Sequence, residues 1–172
     1  MPTLNQINQF ALAEFSVTFG AVYEHSPWIA ERAFAIKPLA GFASRAAVHA
    51  ALVATVQSAS ESEKLTLIHS HPELAGKDAA SGTLTSESRN EQAGAGLTAM
   101  TAALVAELRQ HNAAYRAKFG FPFIIAVRNN TQAAIFAAII SRLKNTGGME
   151  FNNNLMQVGE IARLRLLDII TE

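Results

Sequence analysis

Apolar side chains recur along this chain at the three-and-four spacing of amphipathic helices, and polar or glycine breaks divide them into segments. Leu4, Ile7, Ala11, Phe15 and Phe19 form the first stripe. It is preceded by the capping-box pattern Thr3-x-x-Gln6 and stopped at Gly20, so the spacing predicts a helix over about 3–19. Ser26-Pro27-Trp28 sets a cap with proline at the first helical position, and Ser44 opens an alanine-rich helix carrying Val48, Leu52 and Val56. Ser60-x-x-Glu63 starts a short helix through Leu65 and Ile68 that delivers the chain to His71. Residues 72–84 mix glycine, alanine and serine without periodicity and read as a connection longer than packing requires. From Thr85 to about Gln110 the positions Leu97, Met100, Leu104 and Leu108 predict one helix. Asn112 can cap a following turn through Tyr115 that ends at Gly120. Helices over 131–145 and 149–170 complete the series.

The run from Phe121 through Pro122, Phe123, Ile124, Ile125 and Ala126 to Val127 has the composition of a buried strand. With no second strand candidate it has nothing to pair with, so an extended, buried loop is expected. Neither an internal repeat nor a linker interrupts the pattern. The predicted fold is therefore all-α, a single domain over 1–172 with about seven or eight helices and a long active-site loop.

Composition narrows the function classes. Fourteen Lys and Arg balance fourteen Asp and Glu, and 49% of the residues are apolar, which supports neither disorder nor a nucleic-acid partner. The absence of cysteine removes disulfides, thiolate nucleophiles and cysteine-type zinc sites. No apolar run approaches the roughly 18 residues of a membrane helix, and the N-terminus carries no basic segment leading into an apolar one. The ending Ile170-Thr171-Glu172 is not the peroxisomal Ser-Lys-Leu signal. A soluble, cytoplasmic protein without a membrane partner is expected.

Three features could carry chemistry. His71 is followed by Pro72, which locks its own φ and pushes His71 out of helical geometry. The imidazole is then either a helix-terminating surface group or a ring aimed by the backbone for proton transfer near neutral pH. Ser88 and Glu91 share a helix face beside Gln92, above the small residues Gly94, Ala95, Gly96, Ala99 and Ala102. That is either ordinary helix-start chemistry or a pocket wall with room for a ligand. Arg165 occupies an apolar position in the stripe Leu155, Val158, Ala162, Arg165, Ile169. It is either ion-paired with Glu150, Glu160 or Asp168, or a fork that receives a carboxylate or imide-like oxygen. If the segment 123–127 is irregular, its backbone N–H groups need acceptors, which a polar heterocycle could supply. His69 with His71 also makes the His-x-His spacing of metal hydrolases, although those enzymes are barrels of about 250 residues.

Taken together, His71-Pro72-Glu73-Leu74-Ala75-Gly76-Lys77, Leu84-Thr85, Ser88-x-x-Glu91-Gln92, Ala95-Gly96-Leu97 and Phe119-Gly120-Phe121-Pro122-Phe123 resemble the decarboxylases of 2-oxo-4-hydroxy-4-carboxy-5-ureidoimidazoline (OHCU), which yield (S)-allantoin in the last step from urate. The likeness runs from Ser26-Pro27-Trp28 to Ile161-Ala162-Arg163-Leu164-Arg165-Leu166, and its pieces are specific in combination rather than singly. The resemblance implies an all-α, cofactor-free enzyme that commonly forms homodimers. By the same resemblance His71 is the essential acid-base residue, Glu91 its carboxylate partner, and Arg165 the anchor for ring or ureido oxygens. Pro72, the helix start Ser88, Arg89, Asn90 and Gln92, and the amides of Phe123, Ile124, Ile125, Ala126 and Val127 would line the pocket. The partner would be a small-molecule substrate. His69-Ser70 departs from what often precedes the His-Pro pair in relatives. Two other classes compete: a small metal-dependent hydrolase using His69 and His71, and a helical interaction module without catalysis.

Overall fold

Ten α-helices and two 3₁₀ turns make up the regular structure of a computed structural model that describes residues 1–171, the side chains of Asp78 and Asn129 excepted. Glu172, the end of the terminal tripeptide, lies outside the described residues. Eight helices exceed six residues; only α1 (Leu4–Gln9) and α6 (Lys77–Ser81) are shorter. No strand forms among the described residues, and one isolated bridge pairs Thr3 with Thr171. The all-α reading holds.

Local chemistry accounts for the starts and stops. Thr3 and Gln6 close a reciprocal capping box, with the Gln6 amide donating to Thr3 Oγ1 and the Thr3 amide to Gln6 Oε1. Ser60 and Glu63 do the same before α5 (Glu61–Ser70). Ser44 caps α4 (Arg45–Ser58), Thr131 caps α9 (Gln132–Arg142), and Gly120 ends α8 (Ala102–Phe119) at φ +83°, a conformation that suits glycine.

Three expected elements are divided differently. The helix over 3–19 is two, α1 and α2 (Leu12–Phe19), because the Glu14 carboxylate accepts the Ala11 N–H at 2.9 Å and restarts the ladder there. The helix from Thr85 to Gln110 is also broken. It gives α7 (Ser86–Gly94), a 3₁₀ turn (Leu97–Ala99) and the start of α8, because Gly96 turns at φ +73° and Thr101 caps a new helix. The connection 72–84 contains α6, whose two alanines favour helix. Asn112 lies inside α8 and caps nothing.

The chain forms two compact units, and the boundary between them falls within α5 and within α10 (Gly147–Leu167). The first comprises Met1–Leu67 and the stretch from Gly159 onward. Here α3 (Trp28–Ala35) packs on α2 and α4, and Phe15 contacts the rings of Phe19, Phe34 and Phe42 at 4.5, 5.5 and 6.0 Å. The second unit, Ile68–Val158, packs α8 on α9 and buries Leu108, Tyr115, Ile135, Ile139 and all of 121–127. No helix of the described residues is long and apolar enough to cross a membrane.

Candidate active site

His71 follows the last turn of α5, its N–H bonded to Ile68 O, and the residue is only 6% exposed. The turn behind it is clamped residue by residue from one face of α8. Arg116 Nε donates to the Glu73 carboxylate at 2.7 Å, Asn112 Nδ2 to Leu74 O at 2.9 Å, and Arg109 Nε to Ala75 O at 3.0 Å. Positions 109, 112 and 116 share a helix face, so one rigid element fixes three consecutive residues. Ala75 has φ +50°, a left-handed conformation costing roughly 1–2 kcal/mol for a residue with a Cβ, and both its backbone groups are held, its N–H by Gln92 Oε1 at 3.2 Å. A Cβ on Gly76 would lie 2.8 Å from Glu73 Cβ, so the turn closes only over glycine. These bonds fix the backbone that presents the imidazole.

The Gln92–Ala75 bond joins the His71 turn to α7. On that helix Ser88 and Gln92, one turn apart, are buried, and Glu91 is half-buried. Arg89 and Asn90 are exposed; Arg89 Nη2 donates to Gly82 O and Leu84 O, tying the approach to α7 back onto the helix. Gly94 and Gly96 lie at the end of α7 rather than inside a longer helix, and Gln132 Nε2 donates to Gly96 O. Helix α7 also packs against the 3₁₀ turn Val127–Asn129. The second unit thus brings together the His71 turn with Pro72, the α7 face and the chain around Val127.

The segment 122–126 is irregular and buried, as expected, but not all of its amides are left for a ligand. Asn154 Oδ1 accepts from Ile124 N at 3.1 Å, and Gln157 Oε1 from Ala126 N at 2.9 Å. The carbonyls are held too: Pro122 O by Asn154 Nδ2, Ile124 O by Arg142 Nη1 and Ala126 O by Asn130 Nδ2. Side chains of α10 therefore supply acceptors to two amides for which the sequence suggested a heterocycle.

Beneath this segment lies a polar network that the apolar pattern conceals. Glu150, fully buried, accepts from Tyr115 Oη, Arg142 Nε, Asn145 Nδ2 and Asn153 Nδ2, and Arg142 Nη2 donates to Asn154 Oδ1. Burial pushes the Glu150 carboxyl up, but the bonds from Asn145, Tyr115, Asn153 and Arg142 outweigh it, and the group titrates below its ordinary range. Burial, together with the bond to Glu150, holds Tyr115 in its neutral form well above the usual phenol range.

Arg165 lies in the first unit and is buried at 5% exposure, as its stripe required. It pairs with Glu24, an acid not among the three weighed from sequence. Nη1 donates to the Glu24 carboxylate at 3.1 Å and to Val22 O and Ala21 O at 3.3 and 3.4 Å. Glu24 is distant in sequence and carries no pattern that marks it. Among the other histidines, His49 bonds Gly159 O, His111 sits near Glu107 and Phe136, and His25 is exposed. His69 is exposed on α5 while His71 is buried beyond its end, so the pair lacks the shared strand face that the hydrolase reading needs.

The sequence matches the family described as OHCU decarboxylase over residues 8–167. It is 36% identical over 166 residues to the 2-oxo-4-hydroxy-4-carboxy-5-ureidoimidazoline decarboxylase of Haloferax volcanii, covering 96% of this chain and 95% of that one. It is 37% identical over its full length to the uric acid degradation bifunctional protein PucL of Bacillus subtilis, where it spans 33% of the relative's length. A crystal structure of (S)-allantoin synthase superposes with a TM-score of 0.81 at 32% identity, covering 99% of this chain and 54% of that one.

Proposed function

Because the chain belongs to the OHCU decarboxylase family, we propose that it decarboxylates OHCU to (S)-allantoin without a cofactor. The observation that carries this reading from the family to these residues is the buried His71, displayed on a strained turn whose backbone is clamped by α7 and α8. Loss of CO2 breaks a carbon–carbon bond and leaves an electron pair on the ring carbon. The conjugated C=N and carbonyl groups of the imidazoline accept that pair, so the substrate supplies the sink that other decarboxylases draw from a cofactor. The protein has to orient the carboxylate out of the ring plane, remove the hydroxyl proton and return a proton to carbon. His71 and Glu91 are the titratable groups assigned to those steps. Pro72, the α7 residues Ser88, Arg89, Asn90 and Gln92, and the chain from Phe123 to Val127 are assigned to substrate binding. Freshly generated OHCU mixed with the protein should decay faster than it does alone; equal rates would overturn the reading.

Arg165 is proposed as the oxygen anchor. A guanidinium offers a planar two-pronged contact that an ammonium cannot reproduce. Arg165→Lys should therefore lower kcat/KM nearly as far as Arg165→Gln does. Recovery of most activity by Lys with Gln inactive would mean that charge alone matters. The same resemblance supports a cytosolic homodimer, and sedimentation at the monomer mass of 18.4 kDa would contradict it.

A further inference from the structure

Glu24 belongs to no expected motif, yet it is one of the most deeply buried acids in the chain, at 2% exposure, and its carboxylate meets the Arg165 guanidinium at 3.1 Å. We propose that Glu24 is a positioning residue that sets the orientation of the Arg165 guanidinium for substrate; this rests on the reading of Arg165 as the oxygen anchor.

Three observations support it. First, three acceptors supplied by the turn between α2 and α3 converge on one nitrogen. The Glu24 carboxylate and the carbonyls of Val22 and Ala21 lie 3.1, 3.3 and 3.4 Å from Arg165 Nη1. Gathering acceptors on one corner of a planar group fixes its roll about the Cζ axis, whereas a plain counter-ion needs no such convergence. Second, the turn is built at a cost. His25, next to Glu24, has φ +48°, and it and Ala75 are the two non-glycine residues with positive φ among the described residues. Ala75 belongs to the turn that displays His71, and strain of this kind persists where surrounding structure requires a particular geometry. The Ser26 N–H to Tyr23 O bond and the Ile29 N–H to Ser26 O bond hold the turn on either side of His25. Third, a buried guanidinium without a compensating carboxylate is expensive. The buried Glu24 carboxylate therefore contributes both charge compensation and orientation.

The test separates orientation from charge compensation and from the reaction itself. In full-length protein labelled with ¹⁵N, the Arg165 Nη resonances should be resolved, because rotation about Nε–Cζ is hindered, and should collapse in Glu24→Gln. Turnover of OHCU by Glu24→Gln should show KM raised by at least about tenfold, the low end for losing a hydrogen bond to a charged group, with kcat changed much less. In an Arg165→Lys background the same replacement should leave KM unchanged, since a residue acting only through the fork has nothing left to act on. Glu24→Asp, which keeps the charge and shifts its position, should fall between. A wild-type KM in Glu24→Gln accompanied by a lower Tm would overturn the proposal and leave a structural ion pair. Collapsed Nη resonances in the unaltered protein would overturn it independently of any assay. Resolved resonances in a protein that does not consume OHCU would instead refute the function proposed above.

Discussion

His71→Asn is expected to lower kcat by at least about 10²-fold, the low end of what a positioned acid-base group contributes, with folding intact. Asparagine keeps a planar polar side chain of similar reach but does not titrate in the working range. The turn that carries residue 71 is held by Arg109, Asn112, Arg116 and Gln92, which the replacement leaves in place, so the backbone should persist. His69→Asn, at an exposed helix position, should leave turnover near normal. Steady-state kinetics on OHCU with a parallel thermal melt check both; near-normal kcat in His71→Asn would remove it from the mechanism.

Glu150→Gln is expected to destabilise the fold by about 3–5 kcal/mol, the range for removing one partner of a buried ion pair. The carboxylate receives four donors, one of them the Arg142 guanidinium, and the replacement leaves that cation in a buried setting without its counter-charge. The loss should reach the proposed site as well, because Arg142 also holds Ile124 O and Asn154 holds Ile124 N and Pro122 O. The pH dependence follows from the lowered titration of Glu150. Its contribution is fully present above the ordinary carboxylate value of 4.5 and is lost as pH falls below that toward the depressed value. The deficit of the variant should therefore narrow in acid. Urea unfolding of both proteins at neutral and acidic pH measures this, and a neutral-pH difference under about 1 kcal/mol would show that the network contributes little.

The fold was legible wherever one short stretch of chain decides the outcome. Thr3 with Gln6, Ser60 with Glu63, Ser44 and Gly120 each act over a few residues, and the structure uses every one as the pattern suggests. The same local logic misled at Ala11 and Gly96. An unbroken apolar period continued across both points, while a carboxylate three residues on and a left-handed glycine ended the helices. The exit of His71 from the helix and the burial of Arg165 were likewise visible, one from its proline and the other as a charge in an apolar stripe. What holds them was not. Arg165 finds Glu24 across 141 residues of sequence, and the His71 turn finds Arg109, Asn112 and Arg116 more than thirty residues away. The one retrospective signal is that Arg109, Asn112 and Arg116 fall on a single helix face, where polar groups recur with an apolar period.

The central claim is that this chain protonates a planar intermediate from one face. In free water both faces are equally open, so spontaneous decay of OHCU gives racemic allantoin. A preference of about 2.7 kcal/mol between faces is enough for roughly a hundred to one. Circular dichroism of the product, read before allantoin racemises and compared with a sample formed without protein, tests this directly. The account requires accelerated decay and the signal of (S)-allantoin. A racemic product at an accelerated rate would mean that the intermediate leaves before it is protonated, and the roles assigned to His71 and Glu91 would fall.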